Sequence, residues 1–396
     1  VNRDLKGVAL AGGGPVGGIY EVGALAALDE ALIGLDLTGC DIFVGVSSGA
    51  FVAAGLANGV TPRDMHRLFI ESEEADDPFE PEILLQPAFQ EFGQRLASLP
   101  GLLAVAMQSY LNGAPPHGFA ESLQQLGRAL PAGLFDNEPV GAYLARLFSA
   151  GGRVNDFRRL AKKLFIVATD LDSCSATPFG GPGLDDVPIS RAVQASSALP
   201  GLFPPVEING RHYVDGALMK TLHASVALAE GAKLLICVNP LTPIDADAVA
   251  RKSHRRRLSL AARGLPSVMS QTFRALIHSR MRVGMERYAQ TFPDADVILF
   301  EPARDDAEMF FTNVFSYSSR HRLAEHAYQR TREELRRRAD ELDRVLARHC
   351  VSLDRACLAD ETRTLSRRRR APRRVGLKQT ASQLGTALDS LERALR

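Results

Sequence analysis

Five short runs of apolar residues punctuate the chain: 7–11 (GVALA), 41–45 (DIFVG), 164–169 (LFIVAT), 234–238 (LLICV) and 297–300 (VILF). Each is too short for a helix and nearly free of polar interruption, the pattern of a strand covered on both faces, as in a parallel sheet. Helical periodicity fills the intervals. From Gly18 a helix is predicted with Ile19, Val22, Leu25 and Leu28 on one face, and a helix of small residues from about Ser48 to Ala57. A long helix near 267–291 and a strongly charged one from Ser318 to about Arg348 follow. Residues 206–214 read as a hairpin, VEI and RHYV around Asn209-Gly210, the dipeptide that favours a two-residue turn. Two strand–turn–helix units within the first sixty residues require parallel strands and an α/β class. Residues 75–160 read as helices and loops broken by Pro and Gly, and no internal repeat is visible.

Composition changes this picture little. The chain has 396 residues, with 47 Lys plus Arg against 46 Asp plus Glu, so bulk charge does not argue for nucleic acid. No Trp is present and no aromatic residues interleave with the basic ones, so a nucleic-acid partner is not expected. The five cysteines, Cys40, Cys174, Cys237, Cys350 and Cys357, fit no zinc spacing and read as reduced thiols of a cytoplasmic protein. Residues 1–6 run straight into a strand without a signal-peptide pattern. The longest apolar stretch, Leu99 to Leu111, is interrupted by Pro100 and Gln108 and is too short to span a bilayer.

Charge is distributed unevenly. Basic residues cluster at Arg251-Lys252-Ser253-His254-Arg255-Arg256-Arg257, and six of the eight residues from Arg367 to Arg374 are arginine. Beyond that run, Leu377, Leu384, Leu388, Leu391 and Leu395 share one helical face. The expected organisation is a three-layer α/β/α sandwich with a mainly parallel central sheet over 1–310. A helical C-terminal extension (311–362) and an Arg-rich tail with a short amphipathic helix (363–396) follow.

Three patterns carry chemistry. Gly45-Val46-Ser47-Ser48-Gly49 is G-x-S-x-G between a strand and a helix, the setting of a nucleophile elbow. There the serine occupies a strained turn that small residues two positions away on either side permit. Gly12-Gly13-Gly14-Pro15-Val16-Gly17-Gly18 also joins a strand to a helix, where bare N–H groups form an anion site. It formally matches G-x-G-x-x-G, the dinucleotide fingerprint, whose acidic partner would be Asp36 or Asp41. Asp36 lies in a loop and Asp41 opens a strand, and the next strand runs into a Ser elbow that a nucleotide fold does not need. The third pattern is Asp215-Gly216-Ala217 after the hairpin, where small neighbours expose the Asp but which, taken alone, reads as an ordinary turn.

A Gly-rich loop, G-x-S-x-G about thirty residues later and D-G-A far downstream together resemble the patatin-like phospholipases. The resemblance extends to residues 168–179 (ATDLDSCSATPF) and 195–205 (ASSALPGLFPP), and covers roughly residues 6–240. It implies a Ser–Asp dyad with Ser47 as nucleophile and Asp215 as base, an oxyanion hole at Gly12, Gly13 and Gly14, and Gly45 and Gly49 flanking the elbow. It implies no metal and no organic cofactor. One residue departs from the pattern: Val16 stands where the family loop usually carries a cation. The histidines after Asp215, namely His223, His254, His278, His321 and His326, do not follow strands in Gly-rich loops and read as surface or packing residues. The expected function is hydrolysis of carboxylic esters in phospholipids or related lipids through an acyl-enzyme. The alternatives are a short-chain esterase or thioesterase, and a weakly catalytic protein bound to lipid or granule surfaces. The Arg-rich segments are the expected contact with an anionic membrane surface.

Overall fold

The computed structural model describes residues 4–71, 86–87, 132–253, 259–311 and 317–365. Leu99 to Leu111, Arg255 to Arg257, Arg367 to Arg374 and the five-leucine face lie outside the described residues. The chain divides into two compact units, one of Val1–Ile83, Glu138–Ala198 and Pro205–Arg367, the other of Leu84–Asn137, Leu199–Pro204 and Arg368–Arg396. In the second, Gly133 bridges Gly201 in parallel and the Phe135 N–H donates to the Leu202 carbonyl at 2.8 Å.

The first unit carries the main sheet. Its described strands are β1 (Leu5–Leu10), β2 (Leu32–Ile33), β3 (Ile42–Gly45), β4 (Lys163–Asp170), β5 (Ser175–Phe179), β6 (Val206–Ile208), β7 (Arg211–Val214), β8 (Ala232–Val238), β9 (Asp296–Phe300) and β10 (Ser352–Leu353). The order is β6-β7-β4-β3-β1-β8-β9, with β5 on β4 and β2 pairing β10 in a separate ribbon. From β4 to β9 every neighbour is parallel, and β5, β6 and β7 run antiparallel at one end. The five apolar runs are the five parallel strands; β1, β3, β4 and β8 are buried on both faces at their centres, and the edge strand β9 is fully buried on one face only.

Helices α1 (Gly14–Ala31), α2 (Ser48–Ala57), α3 (Ile189–Ser196), α4 (Ala224–Ala229), α5 (Leu265–Thr291) and α6 (Tyr317–Arg337) supply most of the outer layers. One sheet face, with Ala9, Val44, Val167 and Leu235, packs on Leu222, Ala224, Ala227 and Leu228 of the α4 region, and Met285 and Tyr288 of α5 border the same cluster. Helices α2 and α3 lie against the sheet, α1 packs on α2, and α6 packs on α1. The result is a three-layer α/β/α sandwich with a mainly parallel sheet.

Two boundaries differ from the pattern reading. Helix α1 begins at Gly14 rather than Gly18. Pro15 falls in its first turn, where a missing N–H costs nothing because first-turn donors have no intrahelical acceptor. Strand β5 gave no apolar run because it pairs only with β4 and leaves Ser175 and Ala176 exposed. At the predicted hairpin turn, Asn209 and Gly210 have φ of 52° and 75°, the two positive values a type I′ turn needs.

Candidate active site

The register of β4 explains how two residues 168 positions apart in sequence meet. Ile166 pairs Gly45 of β3 and Phe179 of β5, so β3 and β5 flank β4 on opposite sides. Thr169 pairs Ala176 of β5 and Val214 of β7, so β7 lies on the side of β3. Strands β3 and β7 therefore run head to head along one edge of β4, and Ser47 and Asp215 leave their facing ends.

Ser47 has φ 53° and ψ −124°, a left-handed conformation for a residue with a Cβ. The turn is tight enough that a Cβ on Gly45 would lie 2.5 Å from the Ala50 Cα, and one on Gly49 2.5 Å from the Ala11 carbonyl oxygen. The Ser47 N–H donates to Ser196 Oγ at 2.8 Å, and the Ser196 hydroxyl donates to the Val167 carbonyl at 2.7 Å. The last turn of α3 thus ties the elbow to β4. Ser47 is buried, and its hydroxyl lies close enough to the Asp215 carboxyl to pull that group's pKa down.

Asp215 is fixed on several sides. Its N–H donates to the Ala198 carbonyl at 3.0 Å, and its own carbonyl accepts from the Thr169 hydroxyl at 3.0 Å. The carboxylate accepts the Ala217 N–H at 2.8 Å. Burial pushes its pKa up to about 6, against the opposing pull of the Ala217 and Ser47 hydrogen bonds. A carboxylate there is a far better base near neutrality than an exposed one.

The Gly-rich loop follows β1 beside this pair. A Cβ on Gly12 would stand 2.9 Å from the Ser47 Cβ and 3.6 Å from its Oγ, so Gly12 is the loop residue facing the serine. Gly13 is packed on Pro240, Gly14 has φ 59°, and a Cβ on Gly14 would meet nothing within 4 Å. The Gly12 and Gly13 N–H groups find no acceptor among the described residues. Val16 is half-buried in the first turn of α1.

The expected site residues Gly12, Gly13, Gly14, Gly45, Ser47, Gly49 and Asp215 thus converge on one place. Of the downstream histidines, His254 lies outside the described residues. His223 is buried beside the turn, with Nε2 at 3.3 Å from the Gly216 carbonyl, and burial lowers its pKa to about 4. His326 bonds Asp306 at 2.7 Å, and His278 lies 3.9 Å from Glu301. No described histidine reaches the Asp215 carboxylate. Pattern reading missed Ser196, Thr169 and the Ala217 N–H. Ser196 lay inside the recognisable 195–205 block, but a hydrogen bond across 149 residues leaves no local trace.

A family model described as patatin-like phospholipase matches residues 8–228. The chain belongs to the patatin-like phospholipase family. A protein described as "Probable lipid hydrolase 463L" from Invertebrate iridescent virus 6 is 21% identical over 222 residues, covering 54% of this chain and 61% of the viral one. That match spans less than two thirds of the relative's length. Among solved structures, VipD from Legionella pneumophila matches at 16% identity over 85% of this chain and 67% of its own, with a TM-score of 0.39. The type III effector protein ExoU matches at 17% identity over 85% of this chain and 53% of its own, with a TM-score of 0.34.

Proposed function

We propose that this chain is a lipid acyl hydrolase that cleaves carboxylic esters with Ser47 as nucleophile and Asp215 as base. The observation that carries the reading is the meeting of buried Ser47 and buried Asp215 at the facing ends of β3 and β7, with no described histidine reaching the carboxylate. Family membership and the viral relative's description as a probable lipid hydrolase support the substrate class.

In the proposed reaction Ser47 Oγ attacks the ester carbonyl and its proton passes to Asp215. The tetrahedral oxyanion takes N–H donors from the Gly12–Gly14 loop, each worth about 3 kcal/mol in serine hydrolases. Asp215 returns the proton to the leaving alcohol, then activates the water that cleaves the acyl-enzyme. With Val16 in place of the usual cation, the loop stabilises charge through its backbone. A fluorophosphonate probe, which marks activated serines, tests the assignment. Labelling and ester hydrolysis are expected in the wild type, and both vanish in Ser47→Ala. Labelling that persists in that variant places the nucleophile elsewhere. Running an acyl ester and the matching thioester in parallel separates a lipid hydrolase from the esterase and thioesterase alternatives.

The enzyme so defined works at an anionic lipid surface. Among the described residues, α5 exposes Leu265, Val268, Met269, Phe273, Leu276 and Val283. At helical spacing these fall within an arc of about 140°. Exposed Arg263, Arg280, Arg282 and Arg287 accompany them, as do Arg251 and Lys252 of the first basic cluster. The helix is also tied to the protein by its arginines: Arg280, on the stripe side, donates to the Leu218 carbonyl at 3.2 Å, and Arg274, on the opposite side, to the Thr242 carbonyl at 3.3 Å. Among the described residues no helix is long and apolar enough to cross a membrane, so this contact is peripheral.

A further inference from the structure

A second cluster of reactive side chains lies in the helical layer, on the chain beyond α2. Residues Pro62–Met65 form one helical turn, and His66–Glu71 continue it as a π turn. In an α-helix residues five apart point about 140° away from each other. The i→i+5 bonding of a π turn instead brings them over one another, and such turns concentrate at functional sites. Here it turns His66 and Glu71 to the same side, with His66 Nδ1 at 3.6 Å from Glu71 Oε1. His321, in the first turns of α6, packs its ring edge to face on His66 with centroids 5.6 Å apart. One ligand atom from each of the three lies within 4.8 Å of the others.

The hydrogen bonding of His66 is incomplete. The residue is 2% exposed and its Nε2 has no hydrogen-bond partner. A buried imidazole nitrogen without a partner is costly, and proteins rarely keep one without a use. Burial, His321 and Arg63 all push its pKa below the ordinary histidine value. The nearby cation Arg63 is itself ion-paired with Glu30.

We propose that His66, Glu71 and His321 bind a divalent first-row transition ion, which clamps the π turn onto α6. Two imidazoles and a carboxylate are a donor set that suits Zn²⁺ and its neighbours, with a fourth position left for water. Tetrahedral ligands about 2.0–2.1 Å from zinc stand roughly 3.4 Å apart. The three ligand atoms already lie within 4.8 Å of one another, so closing the trio takes side-chain shifts of about 1–2 Å rather than a refolding. The ion is structural, and its binding does not depend on whether Ser47 hydrolyses esters.

The test uses the full chain after chelator treatment, titrated with Zn²⁺ against a chromophoric competitor and, separately, with Co²⁺ followed in the visible. About one Zn²⁺ per chain, intense four- or five-coordinate Co²⁺ bands and a higher Tm with Zn²⁺ are expected. His321→Ala and Glu71→Gln sit at partly exposed positions and carry the comparison, because His66→Ala opens a buried site. Each is expected to weaken Zn²⁺ at least about 100-fold and to remove the Zn²⁺-dependent rise in Tm, with the far-UV circular dichroism unchanged. Absence of saturable Zn²⁺ binding by the wild type overturns the proposal. So does binding of equal affinity in either variant, which would mean that other histidines hold the ion.

Discussion

As the proposed base, Asp215 faces two opposed demands, since a base must be ionised to work but its burial favours the neutral acid. With the folded pKa raised to about 6, kcat/KM on a soluble ester is expected to fall on an acid limb centred near that pH. A profile flat from about pH 5 to pH 8 would remove Asp215 from the chemistry. The same shift has a stability consequence. A carboxyl whose folded pKa lies above its unfolded value contributes stability only when protonated. That contribution is complete below the unfolded pKa of 3.8 and is lost as pH rises through about 6. Asp215→Asn is therefore expected to be inactive yet more stable than the wild type at pH 7, by up to about 3 kcal/mol, with the gap closing near pH 4. Urea melts of both proteins at the two pH values check this. Within the loop, the side chain added by Gly12→Ala meets Ser47, whereas the one added by Gly14→Ala meets only open space. The first is expected to cut kcat about 100-fold or more. The second costs about 1 kcal/mol of stability through its positive φ, with a smaller effect on rate. Equal losses would mean that Gly12 does not face the reacting group. The glycines and the Ser and Asp were legible because small residues beside a reactive one form a local pattern. The reason each glycine is needed was not: Gly49 serves the approach of α2 to the end of β1, a contact between segments that no spacing reveals.

At the scale of elements, the site depends on strands rather than on the loops that carry its residues. The elbow is held by Ser196, which accepts the Ser47 N–H and donates to β4. Ser196→Ala leaves that buried N–H without an acceptor, at a cost of about 1–3 kcal/mol. It also frees Ser47 to move, so kcat should fall about 10- to 100-fold with KM little changed, the mark of misplacement rather than lost binding. Thermal melts and steady-state kinetics check both halves, and a wild-type kcat would show that the elbow holds itself. The five parallel strands were legible because burial on both faces demands apolar side chains at every position. Their order was not, since the crossovers that set it run through helices whose faces do not name their strand. The head-to-head meeting of β3 and β7 therefore had no sequence signal, although the Asn209-Gly210 turn fixed the register of the hairpin that delivers Asp215.

For the whole molecule, the proposed activity requires the enclosed Ser47 and Asp215 to reach a lipid held in an aggregate. Helix α5 has apolar side chains on both of its sides. Met281, Met285 and Tyr288 face the protein, and the stripe from Leu265 to Val283 faces solvent. An exposed apolar stripe of this length is suited to a partner phase rather than to water. Each of these side chains, on entering the acyl boundary, contributes about 1–2 kcal/mol, and each neighbouring arginine about 1 kcal/mol near an anionic leaflet. The double change Phe273→Glu and Leu276→Glu lies on the exposed stripe and replaces neither Arg280 nor Arg274, which hold the bonds to Leu218 and Thr242. It is expected to leave hydrolysis of a soluble short-chain ester intact while abolishing binding to, and turnover of, anionic vesicles. The Arg-rich run belongs to the same test. A chain ending at Leu365 keeps the buried Leu365, whose N–H donates to Glu325, and so preserves the packing of α6. If the run supplies attraction and α5 supplies insertion, the two losses respond differently to salt. At about 0.5 M salt the charge term is screened, so the truncated and intact chains should bind vesicles alike. The glutamate pair should stay detached from vesicles at every salt concentration. Vesicle sedimentation at low and high salt reads both outcomes. Full vesicle turnover by the glutamate pair would show that α5 does not meet the lipid.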